Sequence, residues 1–402
     1  MKIYEVGGAV RDALLGLPLK DRDWVVVGGT EHELVEQGFR KVGADFPVFL
    51  HPQTNEEYAL ARTERKTGAG YKGFITDSSQ QVTLLEDLAR RDFTINAMAR
   101  DQDGNIIDPH NGRADLTART LRHITPAFRE DPLRVLRAAR FAARLGFEIA
   151  PETLILMREI AASGELQTLA AERIWQELRA ALMAPHSRRF ITVLRDCGAL
   201  KEILPELDRL FGVPQPARYH PEIDTGEHVL LVLEQAERNR ACEMVRFAAL
   251  VHDLGKGTTP AAILPAHHGH EERGVALIET LSERLRIPRN HRDLACLVSR
   301  LHTRVHRVLE MGAPALVRLL EAADAWRRPE RFENFLQTCT LDAQGRKGLQ
   351  QTPYAQAARL RRAFELSRQV DTRALTERKL AGPAYAAALH ELRVKKLSTS
   401  SF

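Results

Sequence analysis

The hydrophobic periodicity of this sequence changes once along the chain, and that change limits the possible folds more than any other feature. Up to about Asp108, short apolar runs alternate with short helical patterns. The elements predicted there are strands at Lys2–Val6, after Asp23 and at Glu57–Ala61, and helices near Val10–Leu15 and Glu31–Gly38. From about Thr125, apolar residues recur at three- and four-residue spacing, as in DPLRVLRAARFAARLGF. The pattern predicts an α+β protein, with a small mixed α/β unit followed by helices only.

The chain is long enough for several domains. Its 402 residues exceed what one hydrophobic core normally organises, and roughly 150 residues per domain predicts about two to four domains. Clustered prolines in LFGVPQPARYHPEIDTG, residues 210–226, interrupt the helical pattern and indicate a linker or elbow. We therefore predict four parts, at residues 1–124, 125–220, 221–330 and 331–402.

The composition excludes several classes of protein. With 44% hydrophobic and 28% charged residues, the chain is neither disordered nor fibrous. The start, MKIYEVGGAVRD, carries Glu5 and Arg11 where a signal peptide or anchor needs apolar residues, so a cytoplasmic protein without a membrane partner is expected. Four scattered cysteines without a Cys-x-x-Cys pair argue against a zinc ribbon or disulfide framework. Arg-rich segments and a net charge of +5 suit phosphate recognition, although a genomic arginine bias explains them equally well.

Two aspartates directly precede the apolar residues of a predicted buried strand in KDRDWVVVGG. Residues i and i+2 of a strand project from the same face, so Asp21 and Asp23 are predicted to point the same way. Two anions held together at the edge of an apolar core repel each other unless a cation joins them, and a divalent metal does so well. The alternative is a solvated turn before a strand.

The stretch VGGAVRDALLG places two glycines at the turn from the first strand to the first helix. Glycine lets the backbone approach a ligand closely, and main-chain N–H groups at a helix start face a phosphate, with Arg11 as counter-charge. An ordinary turn is the alternative. Next to the Asp21/Asp23 pair, however, a phosphate cradle is typical of magnesium-assisted nucleotidyl transfer.

An arginine stripe follows in the helical part. Asp131, Arg134, Arg137 and Arg140 recur at three-residue steps and form one face of a helix predicted to start near Glu130. A solvated face is one interpretation. In the other, the carboxylate accepts from the exocyclic amine of C or A while the guanidinium donates to the adjacent ring nitrogen. G and U present the opposite groups, and each unpaired buried group costs on the order of 1–3 kcal/mol.

These motifs together carry a family resemblance. The order GGAVRD, Asp21-x-Asp23, ARRDFTINAMA (89–99), EDPLRVLRAARFAARLGF (130–147) and ERIWQEL (172–178) resembles the class II tRNA nucleotidyltransferase and poly(A) polymerase family over the first half of the chain. The resemblance implies a DNA-polymerase-β-like nucleotidyltransferase head followed by an all-α neck and body. It also implies tRNA, ATP and CTP as partners.

The same resemblance implies roles for single residues. Asp21 and Asp23 would hold Mg²⁺, and a third carboxylate acting on the primer 3′-hydroxyl would be Glu57, with the adjacent Glu56 as the alternative. The residues implied at the nucleotide are Gly8, Arg11 and Arg91 for the triphosphate, Asp131 and Arg134 for the base, and Arg137 and Arg140 beside them. The run ERKTGAGYKGF (64–74) suits a mobile basic loop closing over the site, or an ordinary solvent loop.

A second resemblance lies in the C-terminal half. GEHVLLVLE (226–234) and FAALVHDLGKG (247–257) resemble the all-α HD phosphohydrolase superfamily, which implies a metal at His228, His252 and Asp253. Imidazole with carboxylate favours Ni²⁺ or another transition metal. The later Asp of that superfamily is expected beside His302, where this chain has Thr303. The alternatives are Asp293, Asp324 or a weakened site, and the histidines of AHHGH (266–270) are either further ligands or a solvated loop.

The two resemblances imply an enzyme that adds and repairs the 3′-terminal CCA of tRNA from CTP and ATP, with an appended domain that hydrolyses phosphate esters. A poly(A) polymerase is the nearest alternative, since it shares head and neck. Two alternatives belong to other classes of protein. One is an RNA-binding protein with an inactive head, and the other is a phosphohydrolase whose head only binds RNA. A monomer or homodimer is expected.

Overall fold

A computed structural model describes residues 1–19, 21–42, 48–66, 74–373, 375 and 380–400. Most of the predicted basic loop at 64–74 lies outside these residues. The chain forms two compact units, the first from Met1–Glu177 with Arg189–Ile203 and the second from Leu178–Arg188 with Leu204–Phe402. Within the described ranges, we find no helix that combines the length and the apolar character needed to cross a membrane.

All described strands belong to the first unit. They are β1 (Lys2–Val6), β2 (Asp23–Val27), β3 (Arg40–Val42), β4 (Val48–Leu50), β5 (Glu57–Leu60), β6 (Thr63–Lys66), β7 (Phe74–Asp77), β8 (Ala99–Arg100), β9 (Ile106–Ile107), β10 (Thr120–Leu121) and β11 (Glu148–Ile149). Seven of them form one sheet in the order β3-β4-β5-β2-β1-β8-β9, in which β2 and β5 run parallel. The strands β6 and β7 form an antiparallel pair, and β10 and β11 a parallel one.

Helices cover the sheet and continue along the chain. Those that begin before residue 204 are α1 (Gly8–Leu14), α2 (Glu31–Glu36), α3 (Leu84–Ala89), α4 (Gly112–Thr117), α5 (Leu133–Leu145), α6 (Pro151–Ala162), α7 (Ala171–Leu182), α8 (Arg188–Asp196) and α9 (Ala199–Ile203). Those of the second unit are α10 (Pro205–Asp208), α11 (Thr225–Arg238), α12 (Glu243–Val251), α13 (His270–Arg284), α14 (Arg289–His306), α15 (Ala313–Ala322), α16 (Pro329–Gln344), α17 (Ala355–Arg368) and α18 (Gly382–Ser398).

Strand alternation divides the core of the first unit between the two faces of the sheet. On one face, Val26 and Tyr58 pack with Leu34 of α2. On the other, Val25 packs with Leu88 of α3. Because Asp23 lies two residues before Val25 on β2, its side chain belongs to the face that α3 covers, at the end of the strand.

Most predicted elements are confirmed, and two details need correction. The strand Lys2–Val6 is found as predicted, but the prediction of helices only after Thr125 was wrong for the short strand β11. The predicted helix near Glu130 begins at Leu133, so Asp131 precedes it with extended backbone angles. Pro132 explains this, since a residue before proline is pushed out of the helical region.

The proline-rich segment 210–226 folds as part of the second unit. The chain changes unit at Ile203, ahead of this segment, and Pro214 pairs with Asp224 in an isolated bridge inside it. The hydroxyl of Thr225 donates to the carbonyl of Val213 at 2.9 Å. The sequence predicted a linker or elbow here, and these bonds hold the segment in a defined loop before α11.

Candidate active site and candidate metal centre

A cavity of about 440 Å³ in the first unit collects most of the predicted transferase residues. Eight of the ten line it, namely Gly8, Arg11, Asp23, Arg91, Asp131, Arg134, Arg137 and Arg140. They come from the start of α1, from β2, from the turn after α3 and from α5 with the residues just before it. Eight arginines line this cavity against three aspartates, so it suits a strongly anionic ligand.

The two remaining predicted residues, Asp21 and Glu57, line a second cavity of about 650 Å³. Asp23 lines both cavities and is therefore the point where they meet. On the parallel strands β2 and β5, Asp23 lies directly opposite Glu57 in register. Glu56 instead accepts a hydrogen bond from the indole of Trp24 at 3.2 Å. Of the two adjacent glutamates, Glu57 is the one that shares a sheet face with Asp23.

The carboxylates around Asp23 fit a divalent cation. Loss of water around the side chain raises the pKa of Asp23, Arg91 opposes that shift, and the like charge of Asp21 adds to it. A carboxylate destabilised in this way gains most from a cation, and carboxylate oxygens are the ligands that Mg²⁺ prefers. Asp21 and Asp23 are the residues that would hold it, and Glu57 lines the same cavity beside them.

Because Gly7 has no side chain, the guanidinium of Arg91 can lie close to the turn between β1 and α1. The φ of Gly7, +70°, lies in the left-handed region, and a Cβ atom placed there would stand 2.7 Å from Nη1 of Arg91. A side chain at this position would force that guanidinium to shift. The first glycine of the pair is needed for both conformation and space.

Acidic side chains hold the arginines in place, and of these the sequence analysis had assigned a role only to Asp131. The ion pairs are Arg11 and Arg144 with Asp12, Arg91 with Asp87, Arg137 with Asp92, Arg140 with Glu177 and Arg173 with Asp131. The ring of Phe141 lies beneath the guanidinium of Arg140 at 4.4 Å. Asp12 and Asp92 stand inside the quoted motifs GGAVRD and RRDF, so the motifs themselves contained this signal.

The pair proposed to read the base is fixed at the start of α5. The guanidinium of Arg134 donates to the carbonyls of Ala127 at 3.0 Å and Arg90 at 2.7 Å. Asp131 accepts from the main-chain N–H of Leu133 at 3.0 Å. A guanidinium has five N–H donors, so these bonds orient Arg134 and still leave donors for a ligand.

The second unit contains a cavity of about 630 Å³ that is lined by Asp253 and Asp342. These two belong to a buried His–Asp cluster, defined here as His228, His252, Asp253 and Asp342. Nε2 of His228 lies 3.1 Å from Oδ1 of Asp342 and 3.9 Å from Oδ2 of Asp253. Nε2 of His252 lies 3.2 Å from Oδ2 of Asp253. The structure therefore brings together all three predicted ligands and adds Asp342.

The two histidines of the cluster turn Nε2 toward carboxylates. Nδ1 of His252 lies 2.9 Å from the carbonyl of Ala249, which only accepts, so this nitrogen carries a proton and Nε2 faces Oδ2 of Asp253. His228 is hydrogen-bonded through Nε2 to Oδ1 of Asp342 at 3.1 Å, and its Nδ1 lies 2.9 Å from Oε1 of Glu222. A divalent metal would take the place of the Nε2 protons between these nitrogens and carboxylates, and the cluster fits such an ion.

The charge state of the carboxylates agrees with that fit. Burial opposes ionisation of Asp253, but its neighbours His252 and Lys256 hold its pKa well below the usual range. Burial likewise opposes ionisation of Asp342, and His306 outweighs it with the same result. Both are therefore ionised and able to bind a cation.

Asp342 of α16 is the carboxylate that the sequence analysis sought elsewhere. Asp293 pairs with Arg292 at 3.2 Å and Asp324 with Arg328 at 3.6 Å, and neither belongs to the cluster. Thr303 donates its hydroxyl to Glu271 at 2.9 Å. The choice of Asp293 or Asp324 was therefore wrong.

Glu222 lies in the segment predicted as a linker and orients His228. Its side chain is 2% exposed, and Oε1 also binds Nδ1 of His220 at 3.1 Å. The next residue, Ile223, has a φ of +62°, which a β-branched residue adopts only under strain. The strained loop thus places a buried carboxylate beside His228 of the cluster.

Comparison with known protein families covers both units. The model described as the poly A polymerase head domain matches residues 3–122, and the one described as a probable RNA and SrmB-binding site of polymerase A matches residues 146–211. The HD domain matches residues 225–328. The nucleotidyltransferase and HD domains are generally metal-dependent.

Solved structures share the fold. The Bacillus stearothermophilus CCA-adding enzyme in complex with CTP has a TM-score of 0.65 and 24% identity, covering 98% of this chain and 88% of that one. The Thermotoga maritima CCA-adding enzyme complexed with tRNA has a TM-score of 0.62 and 20% identity, covering 100% and 88%. The predicted fold class, a nucleotidyltransferase head followed by helical domains, is confirmed.

Sequence relatives match along their whole length. The multifunctional CCA protein of Thioalkalivibrio sulfidiphilus is 58% identical over 400 residues, which are 99% of this chain and 98% of that protein. The multifunctional CCA protein of Pseudomonas aeruginosa is 57% identical over 400 residues, with the same two coverages. This degree of likeness shows the family, and the chain belongs to the multifunctional CCA proteins.

Proposed function

We propose that this chain adds and repairs the 3′-terminal CCA of tRNA from CTP and ATP without a nucleic-acid template, releasing pyrophosphate. The observation that carries the proposal is the arginine-lined cavity, which is also lined by Asp23 and by Asp131 with Arg134. A nucleotide bound there meets carboxylates for metal, cations for its phosphates and a pair that reads its base. The presence of Asp21, Asp23 and Glu57 argues against an inactive head.

Each group of residues in the first unit has its own role in the proposed reaction. Asp21 and Asp23 would hold Mg²⁺, which would supply positive charge to the phosphates of the nucleotide. Arg11 and Arg91 hold the triphosphate, with the backbone at Gly8 close beside it. Glu57 takes the proton of the primer 3′-hydroxyl, whose oxygen bonds to the α-phosphorus as the bond to pyrophosphate breaks.

The deciding experiment is incubation of a tRNA lacking CCA with each nucleoside triphosphate singly and then with CTP and ATP together. We expect CTP alone to add the two cytidines, and ATP to add its single adenosine only once these are present. UTP and GTP should add nothing. Extension by many adenosines with ATP alone would identify a poly(A) polymerase instead.

Base selection gives a second prediction. Asp131→Ala or Arg134→Ala should slow the reaction and also lower the discrimination against UTP and GTP by about one to two orders of magnitude, since the unpaired polar groups that reject them are removed. Arg11→Ala, which affects the phosphates, should slow all four nucleotides alike. Single-turnover rates with each nucleotide measure both effects. Equal loss with unchanged discrimination in all three variants contradicts the assignment.

For the second unit we propose a metal-dependent phosphohydrolase with phosphatase, 2′,3′-cyclic phosphodiesterase and 2′-nucleotidase activity. The His–Asp cluster would hold Ni²⁺ or another transition metal, since imidazole with carboxylate suits such ions. Lys256 and Arg346 line the same cavity and offer positive charge to a phosphate. Nζ of Lys256 already lies 2.7 Å from Asp253, which places it beside the cluster.

We also propose the four-part division at residues 1–124, 125–220, 221–330 and 331–402, which the ranges of the three matching family models support. We propose a monomer or homodimer that acts in the cytoplasm, where its tRNA substrate is found.

A further inference from the structure

We propose that the exposed end of the cavity in the second unit is a nucleobase subsite, in which Tyr219 stacks on the base of a nucleotide whose phosphate lies near the His–Asp cluster. The inference rests on the proposed phosphohydrolase function and deepens it, because it names the part of the substrate that selects nucleotides over other phosphate esters. The sequence analysis gave Tyr219 no role beyond its place in the segment 210–226.

The cavity extends from a buried, charged end to an exposed, apolar end. Among its lining residues, Asp253 and Asp342 are 1% and 2% exposed, whereas Tyr219 is 55% exposed and Leu349 37%. Pro353 is exposed as well and lines the same cavity. The volume of about 630 Å³ lies within the range of roughly 300–1,000 Å³ that sites for whole small molecules occupy. The cavity therefore has room for more than a phosphate group, and its exposed end offers apolar contacts to the rest of a ligand.

Tyr219 is an aromatic side chain that the fold leaves in water. The guanidinium of Arg218 lies over its ring, 5.5 Å from the centroid, and more than half of the residue stays accessible. Apolar and aromatic side chains that are exposed together at one cavity mark a binding site rather than a core. An aromatic ring accepts any nucleobase by stacking, because every base has a π-face.

A buried carboxylate ties together the two loops that carry this exposed end. Oε1 of Glu222 lies 3.1 Å from Nδ1 of His220, the neighbour of Tyr219 in the chain. Oε2 of Glu222 accepts from the main-chain N–H of Lys347 at 3.2 Å, two residues before Leu349. The loops are therefore connected to each other in the absence of a ligand. Such preorganisation lowers the cost of ordering the site when a base binds.

The charges of the cavity orient a nucleotide with its phosphate inward. Lys256 is buried and Arg346 partly buried, so the cations available to a phosphate lie deeper than Tyr219. At the exposed end, Arg307 and Glu310 pair with each other at 3.1 Å, and a neutral base meets no unpaired charge from them. Recognition by stacking needs no hydrogen bonds to base edges, so we expect weak preference among the four bases.

The test compares a substrate that has a base with one that lacks it, in the full chain with Ni²⁺. We expect Tyr219→Ala to raise the KM for adenosine 2′-phosphate by about tenfold or more, with kcat nearly unchanged, because a stacking contact is lost from binding alone. The KM for glycerol 2-phosphate should change less than about twofold, since that ester has no base to stack. Tyr219→Phe keeps the ring and should restore the normal KM. Leu309→Ala is the matched control, because Leu309 is 48% exposed in the same unit and does not line this cavity.

A second measurement separates the base subsite from the chemistry. Equilibrium dialysis of adenosine 2′-phosphate against the unsubstituted chain, Tyr219→Ala and Tyr219→Phe measures binding, to which the first unit contributes equally in all three proteins. We expect weaker binding in Tyr219→Ala only.

Each outcome decides between the claims. If Tyr219→Ala changes the KM of both substrates equally or of neither, the base subsite is overturned, while hydrolysis by the unsubstituted chain leaves the phosphohydrolase standing. If the unsubstituted chain hydrolyses neither ester, the proposed phosphohydrolase fails and dialysis decides alone. Weaker binding in Tyr219→Ala, restored in Tyr219→Phe, then supports a base subsite in an inactive domain, and equal binding in all three proteins overturns it.

Discussion

Asp23→Asn is expected to lower the addition of both CMP and AMP by about 10³-fold or more while tRNA binding persists. Asparagine keeps the shape of the side chain but removes the charge at the point where the two cavities meet. Charge stabilisation by a metal contributes several kcal/mol to such a transition state, and about 1.4 kcal/mol corresponds to tenfold in rate. Single-turnover incorporation measures the rate, and gel-shift titration measures tRNA binding.

Asp103→Asn is the matched control in the same unit, because Asp103 is exposed and lines neither of the cavities that meet at Asp23. Its rates should equal those of the unsubstituted chain. Asp21→Asn should behave like Asp23→Asn. If either variant incorporated CMP at a near-normal rate, the carboxylates would not hold the metal, and the cavity would merely bind nucleotides.

Local rules were enough to predict the two aspartates but not their partner across the sheet. The alternation of Asp23 with Val25 and Val27 follows from the two-residue period of a strand, which the sequence displays directly. That Asp23 lies opposite Glu57 depends on the parallel pairing of β2 with β5. Such pairing is non-local, and the family resemblance rather than any periodicity pointed to Glu57.

Asp342 shows why a metal ligand can escape sequence reasoning. Its helix carries no recognisable motif, and it reaches the cluster only because α16 packs against α11 and α12. One signal was present. Phe335, Cys339 and Asp342 follow helical spacing on a buried face, and an aspartate on such a face needs a partner. Asp293 and Asp324 instead pair with arginines, as partly exposed acids commonly do.

The contacts of the 210–226 segment could not be predicted, for a related reason. Proline and glycine correctly marked a break in the helices, but a break does not reveal what the loop contacts. Oε1 of Glu222 contacts Nδ1 of both His220 and His228, and these contacts follow from the fold. The strain at Ile223 is visible only in the backbone angles. Strain of this kind collects at functional sites, where the surrounding structure compensates for it.

His252→Gln and Asp253→Asn should remove hydrolysis of 2′,3′-cyclic phosphates and phosphomonoesters, by about 10²-fold or more, while CCA addition stays within about twofold of normal. Both residues belong to the second unit, whereas all the predicted transferase residues belong to the first. Glutamine and asparagine replace ligands with neutral amides of similar size. Hydrolysis assays with Ni²⁺, Co²⁺ and Mn²⁺, run beside the tRNA assay, measure the separation.

The reverse pattern completes the test, since Asp23→Asn should keep full phosphohydrolase activity while losing nucleotide addition. His268→Gln, an exposed imidazole near the cluster, should change neither activity. Thermal melting checks that the buried substitutions still fold, because loss of both activities with a lowered Tm would report unfolding rather than chemistry. An unsubstituted protein that hydrolysed no phosphate ester with any of these metals would contradict the proposal. The HD domain would then be inactive. Thr303, which lines the cavity and donates a hydrogen bond to Glu271 at 2.9 Å, would be the residue at which its site departs from the superfamily pattern.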